Sequence, residues 1–283
     1  MGIYLPKAWK QAASFIHECG ASRILVLGAT DRGKSTFCKF LIHYLLQKDL
    51  SLAFIDADVG QKDLGPPATI TLGYPRPTLA LSELTPAALY FVGAVSPAAH
   101  LLPMVVGTRQ LLEQADAQAT IINTSGLVTG VGEVLKTYKI DALRPDIIVA
   151  LERDGELDSL LNAHRHLRLL RLSPSSHAQS KPFQLRFERR QAAFRRYFRV
   201  ASDQALPLAD LAVQRLPPGL TPTDSDFCLP ANLLCGLADS AQRLLGLGLI
   251  RHFDAAQRRI WMFTPVESSR VKVVQLGTLK LEL

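Results

Sequence analysis

Gly28-Ala-Thr-Asp-Arg-Gly33-Lys34-Ser35 follows the pattern G-x-x-x-x-G-K-[ST]. A loop of this type cradles the phosphates of a nucleoside triphosphate. Gly28 and Gly33 allow tight backbone conformations that a Cβ would block. The backbone N–H groups and the dipole of the helix that follows favour negative charge. Lys34 is expected at the β- and γ-phosphates, the Ser35 hydroxyl on Mg²⁺, and Thr36 within reach of the α-phosphate. Gly28, Thr30, Asp31, Arg32, Gly33, Lys34, Ser35 and Thr36 are therefore the expected nucleotide contacts. The motif implies a nucleoside triphosphate and leaves open what is done with it.

A second group of chemical interest is Asp56-Ala-Asp58-Val-Gly60-Gln61. It ends the apolar run Ser51-Leu-Ala-Phe-Ile55, which reads as a buried strand. Carboxylates at the end of a strand beside the phosphate loop are suited to the γ-phosphate and its metal. Asp56 and Asp58 are two residues apart, so on an extended strand they share a face, and only one need be catalytic. Asn123-Thr124-Ser125-Gly126 closes another apolar run and reads as a second phosphate-facing loop.

These groups need a scaffold that brings strand ends together. Arg23 to Leu27 reads as a buried strand, and the apolar spacing of Phe37, Phe40, Leu41, Tyr44 and Leu45 predicts a helix over 35–47. Further helices are expected at 7–19, 103–114, 133–143 and 156–164, and strands at 120–122, 146–151 and 168–172. The alternation argues for an α/β fold, a mostly parallel sheet flanked by helices. Residues 183–198 read as a basic helix with Phe187, Phe194, Tyr197 and Phe198 on one side, expected to close as a lid over the phosphates. From 206 onward, strands at 260–264, 271–274 and 279–283 predict a small β-rich C-terminal domain, with 1–205 forming the phosphate-loop domain and 183–199 its arginine-rich lid. Leu216-Pro-Pro-Gly and Thr221-Pro222 read as linker or turn.

Among the 283 residues 48% are hydrophobic and 20% charged, as in a globular protein with a full core. No apolar run is long enough to span a membrane, and the start lacks the order of a signal peptide, so a cytoplasmic location is expected. Cys19, Cys38, Cys228 and Cys235 form no C-x-x-C pair, which argues against a metal or disulfide framework. The net charge of +7 favours an anionic partner. Its placement is more telling, with ten Lys or Arg against the single acid Glu188 between Leu160 and Val200. His164, His166 and His177 add to that surface without metal-ligand spacing.

Taken in order, the motifs resemble the polynucleotide 5′-hydroxyl kinases related to the eukaryotic pre-mRNA cleavage-complex kinase and the pre-rRNA processing kinase. The series runs from Gly28–Thr36 through Asp56-Ala-Asp58-Val-Gly60-Gln61, Phe91-Val-Gly93, Ser96-Pro97 and His100, to Asn123-Thr124-Ser125-Gly126 with Gly130. It continues with Arg190 and Arg195 before Tyr197-Phe198, then Gly236-Leu237, Leu245-Gly246-Leu247-Gly248 and Thr264-Pro265. The resemblance implies ATP and Mg²⁺ as the nucleotide and metal, with Ser35 and Asp58 at the metal. It implies Lys34, Asp58, Arg190 and Arg195 as catalytic groups, Asp58 deprotonating the attacking hydroxyl and the arginines clamping the phosphates. Gln61, His100 and Thr124 become substrate-binding candidates, and RNA or DNA 5′-hydroxyl ends the expected partners. Leu127 and Pro67-Ala68-Thr69 depart from the family pattern, which often has an aromatic after the Thr-x-Gly turn and Pro-Gly-Thr in the second loop. No N-terminal β-domain precedes the phosphate loop, so a minimal form is implied. A non-catalytic nucleotide-bound scaffold, a P-loop NTPase switch and a small-molecule kinase are the alternatives.

Overall fold

The computed structural model of the chain describes residues 6–176, 179–215 and 229–283. The expected linker at 216–222, Cys228 and His177 lie outside the described residues.

Four near-continuous apolar runs supply the centre of the first sheet: β1 (Arg23–Leu27), β2 (Leu52–Ala57), β5 (Ala119–Thr124) and β6 (Ile147–Leu151). Strands buried on both faces have no solvent side to mark with polar residues, which is why they read as unbroken apolar runs. With β3 (Thr69–Gly73), β4 (Ala88–Phe91) and β7 (Arg168–Leu172) they form a seven-stranded sheet of order β4-β3-β2-β5-β1-β6-β7. The run from β2 to β7 is parallel, and β3 and β4 pair antiparallel at one edge. The chain leaves β1 toward β2 on one side and later returns to β6 on the other, which opens a crevice at the carboxyl end of β1.

Helices cover both faces. On one, α1 (Lys7–Glu18) and α2 (Lys34–Leu46) bury Trp9, Ile16, Phe37 and Leu41 with Phe54 of β2. Trp9 meets Phe37 edge-on at 5.3 Å, and its indole N–H donates to the Ser173 carbonyl at 3.1 Å. On the other face α3 (Leu101–Glu113), α4 (Val131–Leu143) and α5 (Asp158–Ala163) pack Met104, Leu111, Leu135 and Leu160 against Ile55 and Ile122. Among the described residues no helix is long and apolar enough to cross a membrane.

A second sheet has the order β8-β12-β11-β10-β13-β9, from β8 (Ser202–Pro207), β9 (Ala212–Arg215), β10 (Leu233–Ala238), β11 (Leu244–Asp254), β12 (Arg259–Thr264) and β13 (Val273–Lys280). All its pairings are antiparallel except β13 with β9. The boundary expected at 205/206 falls inside β8, because Ser202 already pairs with Thr264 of β12. The two strands expected at 271–274 and 279–283 are one strand, β13.

The sheets share a core. Phe91 of β4 packs with Leu234, Leu247 and Leu249 of the second sheet and with Phe194 and Phe198 of α6 (Phe183–Phe198). The Thr278 N–H donates to the Gly93 carbonyl at 3.0 Å. The basic helix is therefore rooted between the sheets at its C-terminal end, and its N-terminal half reaches the carboxyl end of β1.

Candidate active site

Gly33 stands at φ 88°, a left-handed conformation that glycine adopts without strain, and it turns the loop directly into α2. No side chain caps this helix start, so its first-turn N–H groups remain available to an anion. The loop opens at Gly28, set against the Leu151 carbonyl. Lys34 is buried, its Nζ donating to the Ala29 carbonyl at 2.8 Å. Burial pushes its pKa down and the charge of Asp58 opposes that shift.

A cavity of about 340 Å³ lies over this loop. Thr30, Asp31, Gly33, Lys34, Ser35 and Thr36 form its floor. Asp58, Gly60 and Gln61 stand on one wall, and Ser96, Pro97, Ser125, Gly126 and Leu127 lie around the mouth. Lys181, Arg186 and Arg190 supply its roof. Gly126 approaches the backbone of Thr30 so closely that a Cβ there would collide with it.

The two acidic residues at the end of β2 differ in their surroundings. Strand pairing ends at Ala57, so Asp56 lies on β2 and Asp58 just past it, with the Asp58 N–H donating to Asp56 Oδ1 at 3.2 Å. Asp56 is fully buried and accepts from the N–H groups of Asp63 (2.7 Å) and Leu64 (3.1 Å) and from the Asn123 amide (3.3 Å). Lys62 Nζ sits 3.6 Å from it. Burial raises the pKa of Asp56 and lowers that of Lys62, and each charge counteracts the shift of the other. Asp56 thus fixes the shape of the 56–64 loop. Asp58 Oδ1 accepts from the N–H groups of Gly60 and Gln61, both at 3.0 Å, and no described group donates to Oδ2.

The roof is tied to the floor. Asp31, at φ 60°, accepts from the Lys181 N–H at 3.0 Å and lies 3.8 Å from Arg186. Gln61 Nε2 donates to the Arg186 carbonyl at 3.1 Å. Arg32 turns outward into a two-pronged pair with Glu156 at 2.8 and 2.7 Å, which raises the arginine pKa and lowers that of the acid. Burial lowers the pKa of Arg190, and Asp58 opposes the shift.

Arg195, His100 and Thr124 are not brought to this cavity. Arg195 is exposed; five residues beyond Arg190, it points about 140° away around the helix. His100 is buried, 3.5 Å from the Thr278 hydroxyl, with a pKa lowered by burial. The Thr124 hydroxyl donates to the Val26 carbonyl at 2.8 Å. Arg186 and Lys181, absent from the expected site, do line it. Arg186 was legible from its i, i+4 spacing to Arg190. The buried Lys136 was not; its Nζ holds the Ser125 carbonyl at 2.7 Å from the far side of the β5–α4 loop. Among the described residues no cluster of three His, Cys, Asp or Glu could hold a metal, and Cys19, Cys38 and Cys235 are free.

The family described as mRNA cleavage and polyadenylation factor CLP1 P-loop matches residues 28–200. The chain belongs to this family. The match runs from the first glycine of the phosphate loop to just past α6, so it takes in the floor, wall and roof of the cavity. A polyribonucleotide 5′-hydroxyl-kinase of Pyrococcus furiosus is 30% identical over 311 residues, covering 92% of this chain and 88% of its own length. A second protein of that name, from Methanocaldococcus jannaschii, is 39% identical over 181 residues, covering 62% of this chain and 50% of its own. A solved complex of Clp1p with a Pcf11p fragment superposes with a TM-score of 0.73 at 13% identity, covering 97% of this chain and 79% of that one, a likeness of fold.

Proposed function

We propose that this CLP1-family chain is an ATP-dependent polynucleotide kinase, acting in the cytoplasm, that transfers the γ-phosphate to the 5′-hydroxyl of RNA or DNA. The observation that carries the reading is the placing of Asp58 and Lys34 in one cavity with the three cations of Lys181, Arg186 and Arg190 above them. Phosphoryl transfer needs an in-line hydroxyl and positive charge around the moving group, and little covalent chemistry from the protein.

In this reading the first-turn N–H groups of α2 and Lys34 hold the β- and γ-phosphates. The acceptor oxygen attacks the γ-phosphorus, the bond from phosphorus to the bridging β-oxygen breaks, and ADP leaves with that electron pair. The acceptor proton passes to Asp58, whose Oδ2 no described group occupies. Lys181, Arg186 and Arg190 meet the charge that builds on the transferring group, and the roof keeps water from competing. Arg195 would join them only if α6 turned about its axis.

The donors present fit Mg²⁺. Ser35 and Asp58 offer one hydroxyl and one carboxylate in the same cavity, the few hard oxygen ligands this ion takes when phosphates and water complete its shell. Bound there, the ion would supply positive charge to offset the negative charge of the phosphates.

The test is transfer of labelled γ-phosphate to matched 5′-hydroxyl RNA and DNA oligonucleotides, with Asp58→Asn alongside. We expect transfer by the wild type and a loss of about 10²–10⁴-fold in kcat for Asp58→Asn with ATP binding retained. ATP binding with no transfer to either acceptor would remove the kinase reading in favour of a nucleotide-bound scaffold or a switch.

A further inference from the structure

A second opening, of about 550 Å³, runs between α2 and α6 beside the phosphate cavity. Its floor is apolar, built from Ile42, Leu46, Leu81 and Pro75. Its rim carries Arg76 from the β3–β4 connection and Arg189 and Arg196 from α6. All three arginines are exposed, and none forms an ion pair with a described residue. Asp63 is the one carboxylate among the described lining residues, and it is held by Lys39 at 2.6 Å. A neck of about 190 Å³ joins the two spaces, sharing Ser35 and Arg190 with the phosphate cavity and Lys39 and Arg189 with the groove.

Helix spacing separates two sets of arginines. Arg186 and Arg190 are four apart and face the phosphate cavity. Arg189 and Arg196 are seven apart, on the neighbouring stripe, and face the groove. Like charges gathered without counter-charges repel one another and draw an anion to the groove. Its volume is in the range of a site for a nucleotide-sized ligand. Among the described residues no aromatic ring lines the phosphate cavity, so they offer an acceptor no stacking face there.

We propose that this groove holds the single-stranded phosphodiester backbone of the acceptor, downstream of the nucleotide whose 5′-hydroxyl lies at Asp58. The assignment rests on the kinase reading for the identity of the acceptor. The rim arginines pair with successive phosphates, and the apolar floor receives the faces of unpaired bases, which a duplex keeps stacked inside. The groove thus makes affinity depend on strand length.

The test is fluorescence anisotropy with 3′-labelled 5′-hydroxyl oligonucleotides, a dinucleotide and a dodecanucleotide, on the full chain and its Arg76→Gln/Arg196→Gln variant. Both substituted residues are exposed and outside the phosphate cavity. The variant should bind the dodecanucleotide about tenfold more weakly, with a salt dependence shallower by about 1.4 in the slope of log K against log salt, two single-strand contacts at ~0.7 each. Dinucleotide binding and turnover should not change. Equal affinity and equal salt slope for the dodecanucleotide in both proteins would overturn the groove, as would a duplex dodecamer competing as well as the single strand. A wild-type chain that transfers no phosphate removes the kinase reading, whereas the groove stands or falls on the binding difference.

Discussion

At the residue scale, the site depends on which charges are buried and what faces them. Lys136 and Lys139 of α4 are fully buried, form no ion pair with a described carboxylate, and are held by the Ser125 carbonyl and the Thr108 hydroxyl respectively. Burial pushes Lys139 down to about 7 from 10.5, and Lys136 is also pushed well below its ordinary value. Between about 7 and 10.5 the unfolded chain holds the proton that folded Lys139 has lost. Stability should therefore rise with pH across that window and fall as pH drops back toward 7. Lys136 acts in the same direction. We expect a thermal midpoint that climbs from neutral pH to pH 9, and a flatter climb in Lys139→Met. Thr108 keeps a partner in that variant, because its hydroxyl donates to the Met104 carbonyl at 2.6 Å. A midpoint equally steep in both proteins would assign the rise to other groups.

At the element scale, α6 is a helix fixed at both ends by different means. Its C-terminal turn is buried through Phe194 and Phe198, and the Leu247 N–H donates to the Tyr197 hydroxyl at 2.7 Å. Its N-terminal end is held by polar contacts to Asp31 and Gln61. Polar contacts at a cavity mouth open more readily than a packed aromatic root. Asp31→Ala should speed hydrogen exchange over 181–186 and leave the global midpoint nearly unchanged. Tyr197→Phe strips a buried N–H of its acceptor and should lower stability by about 1–3 kcal/mol, read by denaturant unfolding. If both variants instead lowered the midpoint equally, the two ends of α6 would be one cooperative unit.

At the scale of the whole molecule, the second sheet is the abutment of α6. Phe198 stacks on Phe263 of β12 at 6.0 Å and shares its cluster with Phe91 of the first sheet. A single side chain thus joins both sheets and the root of α6. Phe198→Ala should cost about 3–5 kcal/mol, the usual range for removing a buried Phe. It should also let the two sheets unfold in separate steps by calorimetry. One sharp transition in that variant would mean the remaining contacts, such as Thr278 to Gly93, suffice to couple them.

The sequence alone determined the phosphate loop, the parallel strands around it and the basic helix. A local pattern encodes each of these: glycines at a turn, an unbroken apolar run, a charge cluster at helical spacing. Residue pattern alone left Asp56 and Asp58 as candidate bases, and the family resemblance pointed to Asp58. What the structure adds is that Asp56 is buried against Asn123, more than sixty residues away in the chain, while Asp58 lines the cavity. The same holds for the arginines. Their helix was legible, but which stripe faces the cavity depends on the second sheet that anchors Phe194 and Phe198. Lys136, Lys139 and the groove between α2 and α6 also arise from contacts far apart in sequence. Only the tertiary structure sets those, because burial and field at a side chain come from whatever packs against it.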